Sequence, residues 1–350
     1  MNGFLTNGNS VEYPEMLSVS SSPHLHRGET TASIMCDVLI ALALPSFWGI
    51  YKFGLRALII MLVCVGSSVF FEWGFEKITH RKNSISDLSA AVTGLMLALN
   101  LPVTIPYYMA VLGSFFAIVV VKQVFGGIGK NVFNPALAAR VFLCLSFPTA
   151  MTTFTRVGKR LYFLASEADV DAVSSATPLS FLKQGTVCEQ SVFDLFVGNC
   201  SGTIGEISSF LIIIGAAYLM MRKVINWRIP TAYLGTVALL AVIFPRVGSA
   251  GVITNVMLEL CSGGLLFAAF FMATDYATSP LTKNGKLIFG VGCGLITVFI
   301  RRFGGYAEGA SFSILIMNSL VYFIDKYTMP RRFGTPSKKA KSKEPTPAKQ

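Results

Sequence analysis

The sequence predicts an all-α polytopic membrane protein, with about ten transmembrane helices arranged as two inverted five-helix repeats. Three observations carry this expectation. Of the 350 residues, 53% are hydrophobic and only 13% charged, about half the ~25% that covers a water-soluble surface. Apolar runs bounded by charges, Pro or Gly recur along almost the whole chain. Similar loops also precede corresponding runs in the two halves.

In chain order, residues 1–34 are polar, rich in Ser and Asn, and lack an apolar signal-peptide core, so the first span is expected to direct insertion itself. The first repeat, 35–147, holds Met35–Tyr51, Leu55–Phe71, Leu88–Leu101, Tyr107–Gln123 and Pro135–Phe147. Residues 148–205 form a long extracytoplasmic loop. The second repeat, 206–325, holds Glu206–Met221, Tyr233–Phe244, Met257–Met272, Leu287–Ile300 and Ala310–Ile324. Several of these runs fall short of the roughly 20 residues that cross a hydrocarbon core. Interrupted helices are tolerated in lipid only where protein or a polar cavity satisfies the freed backbone. Residues 326–350 read as a basic, disordered tail that meets anionic lipid, with eight Lys and Arg.

Charge sets the orientation. With the N-terminus inside, the inner segments collect 19 Lys and Arg and the outer loops 9. Both termini are therefore expected on the cytoplasmic face. The net charge of +11 comes largely from the tail, which reads as a membrane flank and not as a nucleic-acid surface.

The repeat is seen where Gln123-Val-Phe-Gly-Gly-Ile-Gly-Lys-Asn-Val-Phe133 precedes the fifth span and Arg302-Phe-Gly-Gly-Tyr-Ala-Glu-Gly-Ala-Ser-Phe312 precedes the tenth. Gly94-Leu-Met-Leu-Ala-Leu99 likewise echoes Gly264-Leu-Leu-Phe-Ala-Ala269. Five spans per copy make the copies cross in opposite senses, which places a functional site at their interface. Shared helix-packing composition is the plainer reading of the same similarity.

The seven cysteines contain no C-x-x-C, so neither a metal site nor an iron–sulfur cluster is expected within this chain. Cys188 and Cys200 fall in the outer loop, where pairing is open to them. The same loop contains Val170-Asp-Ala-Val-Ser-Ser-Ala-Thr-Pro-Leu179. A residue before proline is driven toward extended geometry, which presents the Thr177 hydroxyl. The small neighbours Ser174, Ser175 and Ala176, with Asp171, let a bulky group approach. Arg156, Lys159, Arg160 and Lys183 are available to balance a phosphate. An ordinary Ser/Thr-rich loop is the competing reading.

With these residues the chain resembles the RnfD/NqrB family, membrane subunits of the Rnf and Nqr redox pumps. The resemblance runs from Ser22-Pro23-His24 to about Asp325, and is most specific at Gly126–Ala136 and Ser174–Thr177. In that family a [S/T]-G-A-T motif carries FMN through a phosphodiester bond on its last threonine, which maps onto Thr177. A separate flavin transferase installs it. Ser175 stands where the motif usually has Gly, and Ala172 where Asp-Gly is common. The short N-terminal region suits the Rnf type.

The resemblance implies a translocase subunit that is catalytically incomplete alone and has no catalytic residue of its own. It would pass electrons between ferredoxin and NAD⁺ partner subunits, with Na⁺ or H⁺ movement coupled. Iron–sulfur, NAD-binding and second flavin subunits are the implied partners. A non-covalent riboflavin within the helices and a place in the bacterial cytoplasmic membrane, flavin loop outside, are implied as well.

Two further groups of residues are candidates. Gly126, Gly127, Gly129, Asn131 and Asn134 form a glycine-rich entry to a helix, suited to an anion, a flavin edge or close helix packing. Arg140, Glu259 and Asp275 are ionisable residues within spans, which makes them ion-coupling candidates. Pairing of Arg140 with Glu259 between the repeats is the structural alternative. A flavin-free secondary transporter of inverted-repeat type and an assembly scaffold are the rival functions.

Overall fold

The computed structural model describes residues 30–81, 84–154, 177–185, 191–246, 251–306 and 308–330. Among these residues the regular elements are helices and no strand occurs. They run α1 (Thr31–Phe53), α2 (Leu55–Ile78), α3 (Ser89–Leu99), α4 (Tyr107–Phe115, continued as a π-helix over Phe116–Gln123), α5 (Pro135–Ser146) and α6 (Pro148–Thr152). Then come α7 (Pro178–Lys183), α8 (Val192–Val197), α9 (Ser209–Met221), α10 (Arg228–Ile243) and α11 (Val252–Cys261). The chain continues through α12 (Leu265–Phe267, then a π-helix over Ala268–Met272), α13 (Lys283–Phe303) and α14 (Ala310–Thr328).

Helices α1 and α2 have 23 and 24 residues and are long and apolar enough to cross a membrane. At 1.5 Å per residue they rise about 35 Å, more than a hydrocarbon core of about 30 Å. A single residue, Gly54 at φ 83°, turns one into the other, a conformation open to glycine. Large apolar side chains such as Phe47, Leu62, Phe70 and Phe299 stand exposed on the surface, as befits a molecule whose solvent is lipid.

By contrast α3, α5 and α9 have 11, 12 and 13 residues and rise only about 16–20 Å. Their open ends need partners in a place without water. After α3, the buried Arg56 donates from Nε to the Val103 carbonyl at 2.8 Å and from Nη2 to that of Thr104 at 3.2 Å. Arg301, fully buried, does the same where α11 ends, reaching the carbonyls of Glu259 at 2.7 Å and Ser262 at 3.1 Å. These guanidinium groups replace the hydrogen bonds that an unbroken helix would make.

The segment Met257–Met272, expected as one span, is two helices bent by 66°. The cause is the Ser262–Gly264 corner. Gly263 takes φ +69°, and the Gly264 N–H donates to the Glu308 carboxylate instead of to its own helix.

Close helix contacts use small residues, as membrane packing requires. A Cβ on Gly294 would lie 2.7 Å from Thr236 Cβ, and one on Gly94 2.7 Å from the Cys64 carbonyl oxygen. Tyr233 on α10 ties the second half together: its hydroxyl meets Thr297 at 2.6 Å and Ser313 at 3.2 Å.

Candidate functional site

Thr177 is the residue before α7, with φ −78° and ψ 154°, the extended geometry that the following proline imposes. Its Oγ1 accepts from the Ser180 N–H at 3.3 Å, and its carbonyl accepts from Ser180 Oγ at 2.7 Å. Leu179 and Leu182 anchor α7 in the core. Lys183 Nζ fixes its far end by donating to the carbonyls of Gly304 at 2.9 Å and Gly305 at 2.6 Å, just beyond α13. Thr177 is thus held on the wall of a cavity of about 100 Å³. The other candidates of that loop, Asp171, Ser174, Ser175 and Ala176, lie outside the described residues, as do Arg156, Lys159 and Arg160.

Arg140 lies in the wall of the same cavity, with Glu206 and Glu308. Its side chain is 7% exposed, and its Nη1 is 2.8 Å from Glu206 Oε1. The Nη2 group pairs with Glu308. Arg140 and Glu259 therefore do not pair with each other, contrary to the structural alternative drawn from sequence. Glu259 binds Arg246 at 2.8 Å and Arg301 at 3.0 Å instead. Glu259, near the end of α11 before the break, meets Arg301 close to the end of α13, while Glu308, in the loop between α13 and α14, takes the place beside Arg140. Tyr306 and Phe312, with ring centroids 5.1 Å apart and an interplanar angle of 28°, form an aromatic wall of the same cavity.

A second, larger cavity of about 400 Å³ opens between α1, α3, α5 and α12. Gly129, Asn131, Asn134 and Asp275 all line it, so residues assigned to two different roles from sequence share one site. Gly126 and Gly127 stand outside this lining and shape the loop, at φ +116° and +91°. Asn134 caps α5 by accepting from Ala136 N–H at 3.1 Å and Leu137 N–H at 3.3 Å. Asp275 lies in the turn after α12; burial raises its carboxyl above the ordinary carboxylate range, against hydrogen bonds from Ala277 and Thr278. Lys122, at the end of the π-helical stretch of α4, also reaches this cavity, held at 2.7 Å from both Glu72 and Ser89. Apolar walls with a few convergent polar groups are the usual make-up of a small-molecule site.

The two cavities are linked by buried polar contacts. Arg140 Nη1 donates to Asn100 Oδ1 at 2.7 Å. Asn100 Nδ2 donates to Met272 Sδ at 3.7 Å, and Asn134 Nδ2 to the Met272 carbonyl at 3.3 Å.

The sequence profile of the NQR2, RnfD, RnfE family matches residues 18–334. The chain belongs to this family. It is 45% identical to the D subunit of the Na⁺-translocating ferredoxin:NAD⁺ oxidoreductase complex of Acetobacterium woodii, over 93% of this chain and 98% of that one. It is 41% identical to the D subunit of the proton-translocating ferredoxin:NAD⁺ oxidoreductase complex of Clostridium ljungdahlii, covering 91% and 97%. The D subunit of the ion-translocating oxidoreductase complex of Stutzerimonas stutzeri is 38% identical, with 86% and 91% covered.

For this member of the NQR2, RnfD, RnfE family, sequence reasoning missed Glu206, Glu308, Lys122 and Glu72. Each stands at the edge of an apolar run. Glu308 was the most findable, because it occupies the place in Gly304-Gly-Tyr-Ala-Glu308 that Lys130 holds in Gly126-Gly-Ile-Gly-Lys130. Glu72 was hidden because α2 continues to Ile78, seven residues past the apolar run that ended at Phe71.

Proposed function

We propose that this chain is the RnfD-type membrane component of an ion-translocating ferredoxin:NAD⁺ oxidoreductase, and that it relays electrons through FMN carried on Thr177. The observation that carries this reading is Thr177 itself, extended before proline, with its side chain on a cavity wall beside an aromatic pair. The residues fit the group: a hydroxyl for the phosphodiester, and flat apolar surface for a ring system. The 400 Å³ cavity suits a second, non-covalent flavin, with Phe270 and Phe271 among its walls and Asn131, Asn134 and Asp275 as polar contacts. Bound flavin supplies reversible electron transfer, while the protein sets position and electrostatics.

The chain's own residues do the rest. Asn100, Met272 and Asn134 hold the two sites in a fixed relation. At the first site, Glu206 and Glu308 share one guanidinium, which leaves one negative charge for a proton or a cation to neutralise. That cluster, more than Glu259, is the coupling candidate, because its balance changes with the charge of a neighbouring redox group. The same order of elements in the two halves supports the inverted repeat: a short helix with a proline-containing turn after it, a longer helix, a glycine loop and a last helix. In this reading the protein lies in the bacterial cytoplasmic membrane with both termini inside and Thr177 outside. Partner subunits hold the iron–sulfur, NAD and further flavin sites.

The test is in-gel fluorescence of the denatured protein under ultraviolet light, with a flavin transferase co-expressed. Wild type and Thr177→Ser are expected to show a band, and Thr177→Ala none. No band in any of the three would sink covalent flavinylation and favour a flavin-free transporter.

A further inference from the structure

A third cavity, of about 350 Å³, lies against the connection between α9 and α10, apart from the Thr177 site and sharing one wall with the 400 Å³ cavity. Among the described residues no carboxylate lines it. Its polar lining is cationic and hydrogen-bonding: Lys223, Lys286, Asn226 and Ser279. Its floor is apolar, with Met220 and Ile229. Elsewhere in the described structure Lys122, Arg140, Arg222, Arg246 and Arg301 each pair with a carboxylate, while Lys52, Arg56 and Lys183 donate to neutral oxygens instead. Lys223 and Lys286 have no carboxylate partner there.

Lys223 is also placed against its own backbone preference. It takes φ +59° at the end of α9, with its N–H on the Met220 carbonyl at 3.0 Å and the Val224 N–H on that of Leu219 at 2.9 Å. This is the left-handed helix-ending position that glycine normally fills. A lysine here brings an ammonium group to the cavity mouth. The rim is completed by Trp227, 58% exposed, with the Arg228 guanidinium 5.5 Å from its ring centroid, a pairing typical of the membrane–water boundary. Met221, the chain neighbour of the floor residue Met220, is 75% exposed, apolar surface of the kind that suits lipid tails.

We infer that this cavity binds the phosphate headgroup of an anionic membrane phospholipid, with Lys223 and Lys286 as the paired cations and the acyl chains lying along α9 and α10. A headgroup matches the uncompensated charge, and the apolar floor with exposed apolar surface beside it favours a lipid over a soluble anion. The site has a structural consequence. Val224, Ile225, Thr274 and Tyr276 line both this cavity and the 400 Å³ one, and the Tyr276 hydroxyl donates to the Val224 carbonyl within that shared wall. A bound lipid therefore braces one side of the candidate second flavin site. The inference requires only that the chain lies in a membrane, and it stands whether or not Thr177 carries flavin.

The test uses the full chain with its co-purifying subunits, stripped of lipid in detergent. Thermal unfolding is followed while phosphatidylglycerol, phosphatidylcholine or inorganic phosphate is added. Phosphatidylglycerol is expected to raise the melting temperature at concentrations where phosphatidylcholine and phosphate do not. Each lysine removed weakens the response about fivefold, so Lys223→Gln with Lys286→Gln shifts its midpoint about 25-fold. The double Lys→Arg variant keeps the wild-type response. An equal effect of phosphatidylcholine, a phosphate effect of the same size, or an unchanged midpoint in the Gln variant would each overturn the inference. Should the Gln variant fail to fold, the three additions to wild type and the Arg variant still decide.

Discussion

A guanidinium buried between two carboxylates holds only while its partners are present, and Arg140 is in that position. Its Nη1 serves Glu206 and Asn100, and its Nη2 serves Glu308. Removing one member of such a group leaves unpaired charge without water, which costs roughly 3–5 kcal/mol. Arg140→Ala is therefore expected to lower the melting temperature of the detergent-purified protein markedly. Replacing Glu206 and Glu308 by Gln in the same chain should recover most of the loss, because the uncompensated charges go too. If Arg140→Ala melted like wild type, the cluster would not hold the two halves together. At this scale the sequence singled out Thr177 and Arg140 as candidates, since a threonine before proline and a charge inside an apolar run both stand out locally. It could not reveal the two carboxylate partners of Arg140, which lie 66 and 168 residues away along the chain.

Among the elements, the broken helices matter most, because each break points backbone and side chains into a site. Gly263 turns the chain between α11 and α12 at φ +69°, and a Cβ there would lie 3.0 Å from Leu179 Cδ2, on the helix that Thr177 begins. Gly185, at φ +74°, ends the same short helix but faces open space. Valine at either position meets the left-handed penalty of about 1–2 kcal/mol, and only at Gly263 does it also push on α7. Gly263→Val should therefore melt lower than Gly185→Val, and should show a weaker flavin band although Thr177 is intact. Equal behaviour of the two would mean that α7 is not positioned by the break. Sequence anticipated that some helices would be interrupted, from their length alone. It did not locate this corner, because Ser262-Gly263-Gly264 reads as one more small-residue stretch suited to helix packing, and the acceptor for the Gly264 N–H, Glu308, comes 44 residues later.

For the molecule as a whole, the decisive question is which face carries Thr177. Lys183 binds the carbonyls just past the C-terminal end of α13, so Thr177 belongs to that end. Lys283 begins the same helix, 21 residues earlier, about 30 Å away along its axis. If α13 crosses the membrane, as the proposed reading has it, its two ends mark the two sides, and the orientation proposed above from Lys and Arg puts the Lys283 end in the cytoplasm. A single cysteine introduced at the exposed Ser191, in the loop shared with Thr177, is expected to react with a membrane-impermeant maleimide in intact cells. A cysteine at the exposed Lys283 should react only after the cells are opened. Both are read in a background from which the seven native cysteines have been removed, the exposed Cys36 and the outer-loop Cys188 above all. The reverse labelling would put Thr177 inside, and a flavin transferase acting on it would then have to work in the cytoplasm. Under the expected labelling, the flavinylation proposed for Thr177 would follow the loop's crossing of the membrane, so a cytoplasm-confined transferase should leave the protein without a fluorescent band.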